Sequence, residues 1–232
     1  MRVQVGTSGY SYKEWKGSFY PADLKADAML SYYASKLSAV EINNTFYRMP
    51  KESMLLGWAG QVPPGFTFVL KASQKITHYG RLKDVADSVS YFLKTATVLG
   101  ERLGPTLFQL PPNFKKDLPR LVDFLELLPR NWRAAFEFRH ETWYDDDVYA
   151  ALKAKNMALV AAEEDETPAH TVATADYGYL RLRKAAYTDA ELASWAKQVK
   201  EQAWKDAFVF FKHEDGAVGP MLAGKFQEFF KS

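Results

Sequence analysis

The chain has 232 residues, of which 47% are hydrophobic, and its formal net charge at pH 7 is +2. This length suits either one large domain or two small ones, and barrels of alternating strands and helices commonly use it as a single unit. The small net charge excludes a polycation, so any preference for acidic partners must come from local clusters, and the absence of cysteine excludes disulfides, thiolate metal sites and thiol nucleophiles.

Short apolar runs alternate with helical patterns along the whole chain. We predict that eight of these runs form strands, which lie within residues 3–7, 39–46, 66–72, 106–110, 134–143, 158–162, 179–183 and 207–211. Residues 163–176 show no helical stripe and read EEDETPAHTVATAD. The sixth unit of the pattern is therefore expected to be irregular.

Polar residues mark the boundaries of several predicted helices. We expect Asp27 and Asp145 to be the N-caps of the helices that follow strands one and five, and the helix that follows strand four to begin near Asp117. Thr188 and Glu191 have the spacing of a capping box before the helix that follows strand seven. Asn156 is a residue type that is tolerated where a helix turns off.

Eight strands in regular alternation with helices suit either a closed barrel or an open doubly wound sheet. No G-x-G-x-x-G or Walker-type loop follows the first strand, where an open dinucleotide-binding sheet would need it. No change of composition and no flexible linker marks a domain boundary. We therefore predict an α/β fold with a single TIM-like (β/α)8 barrel domain over residues 1–232 and an irregular sixth unit.

Polar residues gather near the predicted carboxyl ends of the strands, which form the active-site face of such a barrel. On strands two, three, five and seven they alternate with apolar residues, so one side of each strand is polar. These residues include Glu41, Asn43, Lys71, Glu137, Arg139, Arg181 and Arg183. We expect the polar side to face the barrel mouth. The alternative is a buried salt-bridge network that plugs the barrel, formed by Glu41, Lys71, Glu137, Arg139 and Arg181.

Cationic residues outnumber carboxylates at these strand ends. The two carboxylates are Glu41 and Glu137, and the five cations are Lys71, Arg139, Arg181, Arg183 and Lys212. Guanidinium groups match phosphate or carboxylate oxygens in a bidentate way, so we expect an anionic ligand with Lys71, Arg139 and Arg181 as charge clamps. Glu137 is the candidate general base and Glu41 its partner, and Lys71 completes the catalytic set.

Further ligand-binding candidates lie at strand ends and in the loops that follow, namely Ser8, Tyr10, Asn43, Phe46, Tyr47, His78, Gln109, His140 and Trp143. The aromatic members could stack on a base or a sugar face. A metal cluster of Glu41, Glu137, His140 and His213 is conceivable, but no ligand spacing supports it. A glycosidase pair of Glu41 and Glu137 is disfavoured, because strands two and five lie apart and neighbouring cations lower the pKa of an acid.

The N-terminal segment, MRVQVGTSGY, has no basic region followed by an apolar run. No stretch approaches the ~20 apolar residues that span a bilayer. We therefore expect a soluble, cytoplasmic protein without a membrane partner.

Five segments carry distinctive motifs: VGTSGYSYKEWKGSFYP at 5–21, VEINNTFYRMP at 40–50, ITHYGRL at 76–82, FQLPPNF at 108–114 and FEFRHETW at 136–143. Together they resemble the YecE-like proteins, a bacterial and archaeal family of unknown function. The resemblance implies a TIM-barrel fold but no chemistry, because the family has no established reaction and its likeness to endonuclease-type barrels has prompted nucleic-acid proposals only. The candidate residues that match the family motifs are Glu41, Asn43, His78, Gln109, Glu137, Arg139, His140 and Trp143.

The last third of the chain departs from the family pattern. After Arg181 such proteins usually carry His-Gly and a tyrosine-containing loop, whereas Arg183 and Lys184 follow here. Their Phe-Asn-Asn after strand eight is replaced by 211–213, which read Phe-Lys-His. The resemblance therefore does not extend to ligand contacts from strands seven and eight, where extra basic groups stand.

Three functional hypotheses follow. The first is an enzyme, a hydrolase or lyase that acts on a phosphorylated or nucleotide substrate at a cation-rich mouth. The second is a non-catalytic module that binds nucleic acid through phosphate contacts and aromatic stacking. The third is a small-molecule sensor or scaffold. The sequence leaves the cofactor and the oligomeric state open.

Overall fold

Eight parallel strands form a nearly closed barrel, in a computed structural model that describes residues 1–212 and 215–231. The strands are β1 (Arg2–Ser8), β2 (Ala39–Ile42), β3 (Thr67–Leu70), β4 (Thr106–Gln109), β5 (Ala134–Glu137), β6 (Ala158–Glu163), β7 (Tyr177–Leu182) and β8 (Asp206–Phe211). Their order in the sheet is β3-β2-β1-β8-β7-β6-β5-β4. Two isolated bridges, Phe68 with Leu103 and Lys71 with Leu107, join the β3 and β4 edges. The predicted TIM-like barrel is confirmed.

Helices surround the barrel and connect successive strands. They are α1 (Met29–Ala34), α2 (Asn44–Tyr47), α3 (Glu52–Ala59), α4 (Ala86–Ala96), α5 (Leu118–Glu126), α6 (Asp146–Ala154), α7 (Asp189–Glu201) and α8 (Val218–Glu228). The connection from β6 to β7 contains no helix, as predicted for the sixth unit. Within residues 1–212 and 215–231, no helix has the length and apolar character needed to cross a bilayer.

Most of the predicted helix boundaries are confirmed. The Asp117 side chain accepts a hydrogen bond from the Arg120 amide at the start of α5, and the capping box of Thr188 is complete. Asn156 has a φ of 53°, in the left-handed region. The prediction for Asp27 is wrong, because this residue lies in a short 3-10 turn, Ala26–Ala28, that precedes α1.

Two other predictions need correction. Asp145 stands at the N-cap position of α6 but makes no side-chain capping bond, because its carboxylate pairs with the Lys116 ammonium at 2.6 Å. The predicted second strand, 39–46, is too long: β2 ends at Ile42, and the chain then turns into α2. The polar residues after Ile42 therefore belong to a loop and a short helix at the barrel mouth.

The interior of the barrel is filled in layers. Its apolar layer consists of Ala39, Val69, Leu107, Ala135, Ala158, Val160, Tyr177, Tyr179, Phe208 and Phe210. Because side chains two positions apart on a strand face the same way, the residues that follow these by two lie one layer closer to the mouth. These residues include Glu41, Lys71, Gln109, Glu137 and Arg181. The strand pattern thus stacks a polar layer directly on an apolar one.

The position of Gly6 in β1 leaves no room for a side chain beside β2. A Cβ atom added at Gly6 would lie 1.8 Å from the carbonyl oxygen of Ala39 and 2.9 Å from the hydroxyl of Tyr33. That hydroxyl donates to the Ala39 oxygen at 2.9 Å and accepts from the Thr7 amide at 2.8 Å. Because glycine has no side chain, Tyr33 of α1 can form hydrogen bonds to both strands at this point.

We expect Gly6→Ala to lower the free energy of unfolding by about 2 kcal/mol or more, because the new methyl group overlaps a backbone oxygen. In a chain of this size the melting temperature should fall by roughly 4–8 °C. Gly57→Ala is the matched control: it lies within α3 with no atom within 4 Å of the added Cβ, and it should stabilise by about 0.5–1 kcal/mol. Thermal unfolding that leaves Gly6→Ala at the parental value would contradict this account.

Candidate functional site

Arg181 lies at the centre of the polar layer and joins two carboxylates from other strands. Its Nη2 and Nε atoms donate to the two oxygens of Glu41 at 2.8 and 2.9 Å, and its Nη1 donates to Glu137 at 2.5 Å. The exposed fractions of Arg181, Glu41 and Glu137 are 2%, 0% and 1%. The structure therefore follows the alternative expectation of a buried network, and Arg181 is not an open clamp at the mouth.

The carboxylate of Glu41 is saturated with donors. In addition to Arg181, it accepts hydrogen bonds from Ser8 Oγ at 2.8 Å and from the Tyr179 hydroxyl at 2.7 Å, and Asn43 Nδ2 lies 3.5 Å away. Burial by itself would raise the pKa of Glu41, but Arg181 and these hydrogen bonds outweigh burial and hold the pKa below its usual value. Ser8 and Asn43, which were predicted as ligand contacts, thus donate hydrogen bonds to Glu41.

Glu137 is held in the same way. Gln109 Nε2 donates to it at 3.0 Å and Arg183 Nη2 at 3.2 Å. Burial opposes ionisation, but Arg181, Arg183 and the Gln109 bond lower the pKa of Glu137 to about 2. A carboxylate with so low a pKa is a weak proton acceptor at neutral pH. This argues against the predicted roles of Glu137 as general base and of Glu41 as its partner.

Lys71, just after β3, belongs to the same layer but differs from the arginines. It is 9% exposed, its Nζ donates to Gln109 Oε1 at 2.8 Å, and it lies 4.2 Å from the centre of the Phe46 ring. Among the described residues no carboxylate lies within 4 Å of Nζ. Burial, with Arg181 as the next cause, lowers the pKa of Lys71 to about 8.

A cleft of about 320 Å³ opens at the mouth between the ends of β5 and β7. The residues that line it are Pro112, Glu137, Phe138, Arg139, Glu141, Tyr144, Ala162, Glu164, Thr167, His170 and Arg183. Arg183 pairs with Glu137 and Glu164. Arg139 is exposed, and within the described part of the chain it has no ion-pair partner, so the five-residue network predicted as the alternative does not include it.

A second group of mouth residues surrounds Phe46. His78 lies in a π-helical turn, Lys75–Tyr79, and its ring centre is 4.8 Å from that of Phe46. Burial, together with Lys71 and Arg139, lowers the pKa of His78, which favours a neutral imidazole at pH 7. Tyr47 is 72% exposed beside the same ring.

Other predicted ligand contacts have mainly structural surroundings. Trp143 is fully buried, stacks on Phe138 and donates from Nε1 to the Phe114 oxygen at 2.6 Å, so it presents no exposed face for the predicted stacking on a ligand. His140 caps the short turn that holds Trp143, and Tyr10 is half-buried against the core. Lys212 is exposed at the end of β8.

The metal cluster considered from the sequence comprises Glu41, Glu137, His140 and His213. Over the described ranges no three His, Asp or Glu side chains come together as ligands would, and His213 lies outside them.

Sequence reasoning missed Tyr179, Tyr144 and His170. Tyr179 precedes Arg181 by two positions and therefore faces the same side of its strand, so strand alternation could have identified it. The Tyr144 and His170 rings stack 3.8 Å apart. His170, however, lies in a segment without periodicity, so no sequence pattern pointed to it.

Removal of Arg181 should show how strongly the network depends on it. We expect Arg181→Met to lower the free energy of unfolding by about 3–5 kcal/mol at pH 7.5, because two buried carboxylates lose their counter-charge. In the parent, the stabilisation from ionised Glu137 is lost as the pH falls from about 4.5 towards 2. In the variant the carboxyl pKa values rise, so protonation restores stability on acidification.

The difference between variant and parent, measured by denaturant unfolding, should therefore shrink from pH 7.5 to pH 5. Arg2→Met is the control, because the Arg2 side chain is 60% exposed in its pair with Asp206, and such pairs contribute little. A difference that does not change with pH would contradict the proposed electrostatic cause.

Comparisons with known proteins agree with the motifs. The UPF0759 protein YecE of Escherichia coli K12 is 34% identical over 116 residues, which cover 50% of this chain and 43% of YecE. This match thus spans less than half the length of YecE. The UPF0759 protein YunF of Bacillus subtilis is 24% identical over 255 residues, which cover 92% of this chain and 89% of YunF.

Solved structures show the same fold. A DUF72 family protein from Thermotoga maritima matches with a TM-score of 0.85 and 28% identity over 100% of both chains. Another, from Enterococcus faecalis, matches with a TM-score of 0.78 over 99% of this chain and 97% of that one; at 20% identity it supports the fold alone. The family model described as "Protein of unknown function DUF72" matches residues 4–232. The chain therefore belongs to the DUF72 family, the family to which the YecE-like motifs pointed.

Proposed function

We propose that the barrel mouth binds a small molecule that carries a carboxylate or phosphate group, and that the protein acts on it as a lyase or hydrolase. One observation carries the proposal: the ammonium of Lys71 is nearly buried and bonded to a neutral amide, without a carboxylate beside it among the described residues. Burial of a charge without a counter-ion is costly. An anionic ligand would supply that counter-charge.

The surplus of positive charge is smaller than the sequence indicated. Three cations, Lys71, Arg181 and Arg183, lie close to three carboxylates, which are the buried Glu41 and Glu137 and the partly exposed Glu164. Arg139 therefore stands out, since it is exposed and lines the cleft without an ion pair among the described residues. A ligand with its anionic group on Arg139 would use this cation from the open side.

The nucleic-acid hypothesis remains a second candidate, favoured by two exposed tyrosines near the mouth. Tyr47 and Tyr79 are 72% and 73% exposed, and their loops are joined through the contact of Phe46 with His78. Exposed basic residues in these loops are Arg48, Lys75 and Lys83. Aromatic faces beside cations suit unpaired bases and their phosphates.

Anion binding at the mouth should appear as thermal stabilisation of the protein. Inorganic phosphate and a panel of phosphorylated or carboxylated metabolites should raise the melting temperature, since a ligand at about 100 times its Kd stabilises by about 2.7 kcal/mol. Arg139→Gln should reduce the shift by more than half. Lys94→Met, an exposed lysine of α4, should leave it unchanged. If sodium chloride at equal ionic strength gives the same shift as every anion, the proposal fails.

The second candidate predicts binding of a single-stranded oligonucleotide, measured by fluorescence anisotropy. The Kd should rise steeply between roughly 50 and 200 mM salt, as phosphate contacts require. The double change Tyr47→Ala and Tyr79→Ala should weaken binding about tenfold or more, whereas Met221→Ala, an exposed residue of α8, should not. Equal binding by the double variant would remove this candidate.

A further inference from the structure

We infer that Lys71 is a nucleophile that forms a Schiff base, and that the substrates are small carbonyl compounds bearing a carboxylate or phosphate group. The inference rests on the anionic-ligand function proposed above, and it adds a residue, a bond and a substrate class to that function: the anionic group of the substrate lies on Arg139, which lines the cleft, and its carbonyl group reaches Lys71. It starts from the position of the lysine. Lys71 directly follows β3, at the carboxyl end of the strands, where barrels of this kind carry out their chemistry.

The surroundings of Lys71 suit an amine that must lose its proton. Its side chain is nearly enclosed, with the Phe46 ring 4.2 Å from Nζ. Burial disfavours the ammonium form, and Arg181 disfavours it further, so that the pKa is about 8. Desolvation and a neighbouring cation are the two devices that activate lysine nucleophiles. With a pKa of about 8, roughly a tenth of Lys71 is the free amine at pH 7, far more than for a lysine with an unperturbed pKa of about 10.4.

Gln109 keeps Lys71 in this state. Its Oε1 accepts from Lys71 Nζ at 2.8 Å, while its Nε2 donates to Glu137 at 3.0 Å. The amide thus lies between the amine and Glu137. A carboxylate at this position would hold the ammonium form, because opposite charges favour ionisation. We regard Gln109 as a positioning residue that orients the amine and, because it is neutral, leaves the low pKa of Lys71 in place.

The chemical step balances without an oxidant or reductant. The Nζ lone pair attacks the carbonyl carbon, the C–N bond forms, and the former C=O π electrons pass to oxygen. The nitrogen gives up a proton and the oxygen takes one, through water, so that a neutral carbinolamine results. The carbinolamine hydroxyl takes a further proton from the solvent and leaves as water, while the nitrogen lone pair forms the C=N bond. The resulting iminium can accept the electron pair of a breaking bond at the adjacent carbon, which gives an enamine. The enamine takes a proton at that carbon, and addition of water then releases the carbonyl product and returns the amine.

Reductive trapping tests the inference. Full-length protein is incubated at pH 7.5 with pyruvate and sodium cyanoborohydride, and adducts are mapped by peptide mass spectrometry. We expect Lys71 to be labelled at least about tenfold faster than Lys94, an exposed lysine with an ordinary environment. Acetone, a carbonyl compound without a charge, should label Lys71 more slowly than pyruvate. Lys71→Arg should abolish the fast adduct.

A pH profile separates activation from simple accessibility. Trace acetylation with acetic anhydride should show half-maximal reactivity of Lys71 near pH 8, well below the value of about 10.4 for an unperturbed lysine side chain. Gln109→Glu should move the Lys71 profile to higher pH and slow trapping at pH 7.5. Gln109→Met, which adds no charge, should leave the profile in place, and it serves if the glutamate variant fails to fold.

The outcomes distinguish this inference from the proposed function. If anions stabilise the protein but no Lys71 adduct forms, the Schiff base is wrong and anion binding stands. If no anion stabilises the protein, the proposed function falls, and equal trapping by acetone and pyruvate removes the anionic substrate class. Labelling of Lys71 at the rate of Lys94 across the pH range overturns the inference.

Discussion

The bidentate contact of Arg181 with Glu41, and its bond across the barrel to Glu137, is the interaction on which the mouth depends. It ties β7 to β2 and β5, strands that are not neighbours in the sheet. Three buried charges cost much desolvation free energy, and only complete hydrogen bonding offsets that cost. Further donors to the two carboxylates come from Ser8, Asn43, Tyr179, Gln109 and Arg183. The layer is thereby rigid and charge-matched, a base on which a reactive group can be fixed.

The state of Lys71 follows from this arrangement. Glu41 and Glu137 raise its pKa, but both carboxylates are already held by Arg181, whose own charge lowers it. Gln109 fills the space where a counter-ion would otherwise stand. The low pKa of Lys71 therefore comes mainly from burial, to which the charge of Arg181 adds, while the two carboxylates offset only part of both effects. The charges of Arg181 and Arg183 likewise explain why Glu137 is a poor base although it lines the cleft.

Strand parity in the sequence predicted that Glu41, Lys71, Glu137 and Arg181 converge, because alternate side chains must face one side. The alternation of side chains along a strand does not show where the strand ends or how deeply each residue is buried. Arg139 follows Glu137 by two positions, but β5 ends at Glu137, so Arg139 lies outside the network. Trp143 was assigned to the mouth because it belongs to the same motif, whereas a local turn directs it into the core. The segment around His170 shows no periodicity in the sequence, so no pattern predicted that it lines the cleft.

The basic residues that follow strand seven, Arg183 and Lys184, are both paired with carboxylates. Arg183 pairs with Glu137 and with Glu164, which lies at the start of the irregular sixth connection. Lys184 pairs with Glu191, the residue that completes the capping box of α7. Carboxylates of the fold thus pair with both added charges. The open positive charge of the cleft then comes mainly from Arg139, inside the FEFRHETW motif, so ligand recognition is better sought there than in the altered last third of the chain.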